Sequence, residues 1–202
     1  MRRAGLAGLA ETGEGSARPD EPLLCVIGWR NASRFKTMTK QSFAAAVVLL
    51  LLIMLGMEIG AGLYEARVVV PTWTQDPQAA FKFWKPNPEF ALSPGPRWWM
   101  FTTPFTGLLG LCTLLLAGSF EAERRTLLRM GSGLVVLLTI GTFVYFVPNL
   151  LFLQGSKVLT LDPAEARAQA ALWSKLNWVR AAGYVAAWLA IIRAVSLNVK
   201  VR

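Results

Sequence analysis

The sequence predicts an all-α membrane protein, a bundle of four transmembrane helices with a long aromatic and proline-rich outer loop between helices 1 and 2. Two observations support this class. Of the 202 residues, 54% are hydrophobic and only 16% are charged, whereas about a quarter of an ordinary soluble protein is charged. The chain also contains four long apolar runs, each near the roughly 20 residues that cross a hydrocarbon core. This composition excludes a disordered chain and disfavours a water-soluble globule.

The four predicted spans are free of charge over most of their length. They cover residues about 42–63, 98–120, 130–153 and 172–195. The first contains Glu58, and the fourth contains Lys175 and Arg180. The first run is too long for the apolar part of a signal peptide, and no small-residue cleavage site follows it. We therefore expect it to remain as a membrane helix.

The fourth helix is predicted to begin outside the membrane. Asp162 has the side chain of a helix N-cap, Pro163 suits the first helical position, and Glu165 falls in the first turn. The helix is expected to continue to about Ser196. A helix of that length reaches about 50 Å, so roughly a third of it would project beyond the bilayer.

Residues 1–37 are predicted to form a tail outside the four-helix domain of residues 38–202. Residues 4–22 are rich in Gly, Ala, Glu and Pro and show no period. Such a composition buries too little apolar surface to offset the entropy of ordering it. Met38 stands just before the first span, so two explanations stay open: a regulatory tail, or a translation start placed too far upstream.

The distribution of lysine and arginine predicts that both termini are cytoplasmic. If all four helices span, the N-terminal segment, the connection between spans two and three and the C-terminus share one side. That side carries 13 of the 21 lysines and arginines, and the other carries 8. Cytoplasmic segments of membrane proteins carry the excess of positive charge. We expect a multi-pass protein of the cytoplasmic (inner) cell membrane.

The segment 67–97 is predicted to be the largest loop, with six of the eleven prolines and five aromatic residues. Disordered linkers lack aromatic residues, so this loop is expected to pack against something. Residues 79–84 are expected to form a short helix. One interpretation is a belt of aromatic side chains at headgroup level, and the other is a lid over a cavity between the helices. The residues assigned to the membrane interface are Trp73, Trp84, Trp98, Trp99 and Trp173.

Polar side chains within the spans indicate where a site could lie, because each costs free energy in the bilayer unless it is paired or hydrated. The fourth helix carries Trp173, Asn177, Arg180, Tyr184 and Trp188 at steps of three or four, so they share one face. Similar faces are expected at Thr103 to Gly110 and at Thr139 to Asn149. The candidate polar pocket comprises Glu58, Tyr64, Glu65, Asn149, Asn177, Arg180 and Tyr184.

Glu58 and Arg180 are predicted to lie at similar depth, so an ion pair between them is expected, with Glu65, Asn149 and Asn177 around its mouth. Three roles stay open for this group: polar contacts that hold the bundle together, a ligand pocket, or an ion or proton path. Gly56 and Gly60 have the spacing that lets another helix approach closely.

Several classes of site are not expected. The chain has no histidine and two cysteines, Cys25 in the tail and Cys112 within a span. Haem, iron–sulfur and zinc sites therefore lack their usual ligands, and we expect no metal and no cofactor. The net charge is +9, but long uncharged runs separate the cations, so no nucleic-acid partner is expected.

The end of the first span, GMEIGAGLYEARVVVPTW, resembles a pattern in a family of small four-helix membrane proteins of unknown function that includes the anthrone oxygenases. The resemblance covers about Met38 to Ser196 in layout. The matching residues are Gly60, Gly62, Tyr64, Pro71, Trp173, Asn177 and Arg180. It implies a four-helix bundle with a long aromatic loop. The oxygenase members oxidise polycyclic aromatic substrates without a metal or flavin, but this chain has no histidine to act as their base.

Two functions are carried forward. In the first, a cavity near the outer leaflet binds or transforms a hydrophobic small molecule, with Glu58 or Glu65 as acid or base and Arg180 holding an anion. In the second, the protein is a non-catalytic accessory subunit of a larger membrane complex, or a homo-oligomer in the lipid bilayer. A transporter is disfavoured because no internal repeat is visible.

Overall fold

The computed structural model describes residues 39–86 and 94–197, and within these ranges the regular structure is helical, with no strand. The predicted tail of residues 1–37 lies outside the described residues, as does part of the proline-rich segment. Seven α-helices are described: α1 (Lys40–Tyr64), α2 (Val70–Thr74), α3 (Pro77–Trp84), α4 (Pro94–Leu116), α5 (Ala122–Gly141), α6 (Val147–Leu153) and α7 (Pro163–Ser196). Two π-helical turns, Glu65–Val69 and Thr142–Phe146, join α1 to α2 and α5 to α6 without a break.

Four continuous helical runs are long and apolar enough to cross a membrane, which confirms the predicted number of long apolar helices. They are Lys40–Thr74, Trp98–Ser119, Ala122–Leu153 and Pro163–Ser196. The first run continues about ten residues beyond its predicted end near residue 63, so the expected loop at Arg67 is instead helix. The third begins at Ala122 rather than at residue 130. No helix breaker precedes Pro71, and the π turn before that proline lets the helix continue.

The start and end of α7 match the prediction. The Asp162 side chain accepts a hydrogen bond from the backbone N–H of Ala164 at 2.8 Å, and Pro163 is the first helical residue. The helix runs 34 residues to Ser196. The short helix expected within residues 79–84 is also present as α3, which Asp76 caps by accepting from the N–H of Ala79.

The helices pack around two clusters of buried side chains. The inner core is mainly aliphatic and draws on α1, α4, α5 and α7; its members include Val48, Leu51, Leu55, Leu128, Val135 and Ile191. The aromatic core lies where α2, α3, α6 and the start of α7 meet; it comprises Val70, Trp73, Leu153, Val158, Ala166, Ala170 and Trp173. The continuous run Lys40–Thr74 and helix α7 each extend from one core to the other.

Close helix packing in the inner core depends on glycines other than the predicted pair. A Cβ at Gly107 of α4 would lie 2.6 Å from Thr139 of α5, and one at Gly131 of α5 would lie 2.7 Å from Ile191 of α7. A Cβ at Gly60 would meet nothing within 4 Å. A Cβ at Gly56 would meet only the Trp188 indole, at 3.9 Å, so among the described residues no helix backbone approaches the pair closely.

Candidate functional site

The candidate site lies between the inner core and the aromatic core, at the level of the two π-helical turns. In each turn a backbone N–H reaches back five residues, from Val70 to Glu65 and from Val147 to Thr142. A proline follows each of these donors and has no N–H of its own to offer. Widened turns of this kind re-aim side chains and are frequent at functional sites. Both turns begin with a residue that lines the site.

Arg180 of α7 is the central residue of the site and is held from two sides. Its Nη2 donates to Oδ1 of Asn177 at 2.7 Å, and its Nη1 donates to Oγ1 of Thr142 at 3.2 Å. The guanidinium also stacks over the ring of Phe146, 4.5 Å from its centroid. Thr142 and Phe146 are the first and last residues of the second π turn, so that turn positions the guanidinium.

The predicted ion pair between Glu58 and Arg180 does not form. Among the side chains that the structure describes, in residues 39–86 and 98–197, the one ion pair within 4.0 Å joins Arg167 to Asp76 at 3.9 Å. Glu58 and Arg180 do line one cavity. The prediction was wrong because the guanidinium is bound to Thr142 and stacked on Phe146, in the π turn that follows α5. The depth of residues along their helices does not show such contacts.

Glu58 is a buried carboxylate without a hydrogen-bond partner. Only 3% of the residue is exposed, and neither Oε1 nor Oε2 accepts a hydrogen bond. Three threonines of α4, Thr102, Thr103 and Thr106, approach it without reaching hydrogen-bond geometry. An ionised carboxylate in such surroundings would cost on the order of several kcal/mol, so burial favours the neutral acid. Such an exception in an otherwise well-bonded interior needs an explanation.

Glu65 differs from Glu58 because it has a partner. Its Oε2 accepts a hydrogen bond from Nε1 of Trp99 at 2.5 Å. The Trp99 ring lies against α1 at Gly62, where an added Cβ would stand 3.6 Å from Cη2 of the indole. That distance is an ordinary van der Waals contact, so the Trp99 ring packs on the face of α1 at Gly62.

Two open cavities meet at Trp99 and Arg180, which line both. The inner cavity measures about 470 Å³, counting space open to the surroundings. It is lined by Glu58, Ile59, Gly62, Leu63, Trp99, Thr103, Asn177, Arg180, Ala181, Tyr184 and Val185. The outer cavity measures about 310 Å³ on the same basis and is lined by Glu65, Trp99, Thr142, Phe146, Val147, Leu150, Trp173 and Arg180. Each combines apolar walls with a few polar groups, the usual make-up of a small-molecule site.

The structure brings together five of the seven predicted pocket residues. Glu58, Asn177, Arg180 and Tyr184 line the inner cavity, and Glu65 lines the outer one. The other two lie elsewhere. Tyr64 is 63% exposed and points away from the bundle. The Asn149 amide donates to the carbonyl of Tyr145 on its own helix and lines neither cavity.

Two of the five tryptophans assigned to the membrane interface are buried instead. Trp73 is 2% exposed and Trp173 is 4% exposed, and their ring centroids stand 5.4 Å apart in the aromatic core. A headgroup belt requires side chains on the outer surface. Trp99 is partly buried, and its indole lines both cavities and donates a hydrogen bond to Glu65. Trp84 and Trp98 are half-buried.

Several residues of the site were absent from the predicted pocket. Thr142 and Phe146 lie within the polar face predicted at Thr139 to Asn149, but their contact with Arg180 was not predicted. Thr102 was not noted. A sequence signal for Thr142 and Phe146 is Pro148, which follows their π turn in the sequence FVP.

No protein family model matches this chain, and neither a curated protein nor a solved structure does. Within the described ranges, no three His, Cys, Asp or Glu side chains come together as a metal-binding group. The site's own geometry must therefore support any functional conclusion.

Proposed function

We propose that the protein is a four-span integral membrane protein whose inner cavity binds a lipophilic small molecule through Arg180. Membrane insertion is supported by the four long apolar runs and by their outward-facing side chains. Large apolar residues are exposed along all four runs, including Ile53, Leu115, Leu137, Val144 and Leu189. An apolar surface on every long helix suits acyl chains and would aggregate in water.

We further propose that both termini face the cytoplasm and that α3 lies on the outer side. The end of the bundle where α4 leads into α5 carries Arg124, Arg125 and Arg129 in the first turns of α5. A cysteine replacing Gln78 would react from outside with an impermeant thiol reagent, whereas labelling only after lysis would contradict this orientation. The test needs a background without Cys25 and Cys112.

The ligand proposal rests on the contacts that Arg180 makes and on the absence of a carboxylate beside it. Its guanidinium is half-buried, fixed by Asn177, Thr142 and Phe146, and has no carboxylate within 4.0 Å. A preorganised guanidinium binds carboxylate and carbonyl oxygens well. A ligand with such an oxygen would give Arg180 the partner that the chain does not supply.

The walls of the inner cavity define the rest of the ligand. Ile59 and Leu63 of α1 and Val185 of α7 contribute apolar side chains to its lining. A molecule dissolved among acyl chains could enter between these helices, and its apolar body would lie against them and against the Trp99 ring. The ligand class is therefore an apolar molecule that ends in a carboxylate or carbonyl oxygen.

Paired probes test this proposal. Oleic acid and oleyl alcohol share one apolar chain but differ in the group offered to Arg180. In nanodiscs of defined lipid, the acid is expected to bind the wild-type protein, and Arg180→Gln to weaken it roughly tenfold to a hundredfold, the worth of one charge-assisted hydrogen bond. The control is Arg193→Gln, which removes an exposed arginine of the same helix. Equal binding of acid by all three proteins would contradict the proposal.

A further inference from the structure

Three arginines lie close together at the start of α5, and the ligand proposal does not use them. Arg124, Arg125 and Arg129 form this arginine patch. Arg125 and Arg129 are four residues apart, so their Cβ atoms lie about 5–6 Å from each other on one side of the helix. The Arg124 guanidinium stacks over the buried ring of Phe120, 4.7 Å from its centroid. The patch therefore lies at the edge of the inner core, where α4 leads into α5.

No carboxylate neutralises the patch among the side chains that the structure describes. Glu121 and Glu123 precede it on the chain, but neither lies within 4.0 Å of an arginine. The Nε atoms of Arg124 and Arg125 are buried and have no hydrogen-bond partner. Like charges four residues apart on a helix repel each other, and the helix dipole does not favour cations in the first turns. An anion from outside the chain would relieve this repulsion.

An apolar surface continues from the patch along α5. Met130, Leu137, Ile140 and Val144 are each more than half exposed. Arg129 and Ile140 are eleven residues apart, close to three helical turns, so they lie on the same side of α5. From Met130 to Val144 the helix rises about 20 Å, whereas one leaflet contributes roughly 15 Å of hydrocarbon. A phospholipid whose acyl chains lie on this surface would place its phosphate beside Arg129.

We propose that the arginine patch binds the headgroup of an anionic phospholipid in the leaflet that borders this end of the bundle. Guanidinium groups bind phosphate oxygens, often through two hydrogen bonds at once. An anionic headgroup is preferred because a zwitterionic one would bring a further cation to the patch. The adjoining apolar surface favours a lipid over a free phosphate. The proposal rests on the membrane insertion proposed above, and under the proposed orientation this leaflet is the cytoplasmic one.

Lipid retention by the purified full-length protein tests the patch. The protein in mild detergent would receive equal amounts of phosphatidylglycerol and phosphatidylcholine with identical acyl chains. Lipids that remain bound after gel filtration would be counted by mass spectrometry, and the wild-type protein should retain mainly phosphatidylglycerol. Arg129→Gln changes an exposed residue and should lower the ratio of the two lipids about fivefold. Adding Arg125→Gln should lower it by roughly twenty-five-fold in total.

Matched variants separate the patch from the overall charge of the protein. Arg67→Gln combined with Lys82→Gln removes two exposed cations from the opposite end of the bundle and should leave the lipid ratio unchanged. Arg180→Gln should also leave it unchanged, which distinguishes this site from the one for the lipophilic ligand. Inorganic phosphate added at the concentration of the lipids should not displace phosphatidylglycerol.

Three results would overturn the lipid site. One is retention of the two lipids in equal amounts by the wild-type protein. Another is an equal loss of preference in the double variants at the two ends of the bundle. The third is displacement of phosphatidylglycerol by inorganic phosphate, which would mean that the patch binds a soluble anion. Retention of neither lipid would contradict membrane insertion together with this site, whereas the first three results would contradict the site alone.

Discussion

The inner core and the aromatic core are built from different residues, although the run Lys40–Thr74 and helix α7 each contribute to both. In the inner core, long helices approach each other at glycines, and aliphatic side chains fill the space between them. In the aromatic core, short helical segments pack through Trp73, Trp173 and their neighbours. The inner core leaves no room for added atoms where its helices cross at glycines. The aromatic core depends instead on a few large rings.

The polar site lies where one kind of packing gives way to the other. Both π turns fall at this boundary, and residues of these turns bind Arg180 or accept a hydrogen bond from Trp99. Neither tight helix crossings nor stacked rings fill this level completely, so two cavities remain. The change in packing therefore supplies both the space and the polar groups of the site.

The largest effect is expected from removing a ring of the aromatic core. Trp173 contacts Trp73 and Phe146, and its Nε1 donates to the carbonyl of Phe146 at 3.1 Å. Trp173→Ala should lower the free energy of unfolding by about 3–5 kcal/mol, as for other buried aromatic truncations. Trp178→Ala is the control, because Trp178 of the same helix is 41% exposed. Similar losses for both variants, measured by denaturant unfolding in detergent, would contradict a special role for the aromatic core.

An intermediate effect is expected from adding one methyl group to the inner core. A Cβ at Gly131 would meet Ile191 at 2.7 Å and the carbonyl of Ala187 at 3.0 Å. Gly131→Ala should therefore destabilise the protein by about 1–3 kcal/mol. Gly60→Ala meets no atom within 4 Å and should be neutral or stabilising by up to about 1 kcal/mol, because alanine favours helix. If the two changes had the same sign in thermal unfolding, the proposed tight crossing would be wrong.

The smallest effects are expected from replacing the two carboxylates of the first helical run. The two replacements should change the free energy of unfolding in opposite directions. Glu65→Gln weakens a charge-assisted bond from Trp99 and should cost about 1 kcal/mol. Glu58→Gln replaces a buried carboxyl group whose oxygens accept no hydrogen bond, and it should cost nothing or stabilise by about 1 kcal/mol. Equal losses at neutral pH would show that Glu58 has a partner in the apo protein.

The features of the fold that the sequence predicted correctly follow from local patterns. The four apolar runs follow from length and composition, and the start of α7 follows from the Asp162 and Pro163 capping pattern. The continuation of the first helix through Thr74 did not follow, because a π turn before a proline leaves no simple periodic signal. The partner of Arg180 and the burial of Trp73 depend on which helices become neighbours. Local patterns in the sequence do not show which helices pack together.

The central claim is that Arg180 holds a lipophilic molecule in the inner cavity. The most direct measurement is the amount of organic molecule that remains with the protein after mild purification. Equal amounts of wild-type, Arg180→Gln and Arg193→Gln protein would be extracted with solvent and compared by mass spectrometry. We predict that one compound with a carboxylate or carbonyl oxygen is present near one per wild-type chain, is retained by Arg193→Gln and is depleted roughly tenfold or more in Arg180→Gln. The same compounds in the same amounts from all three proteins would contradict the claim.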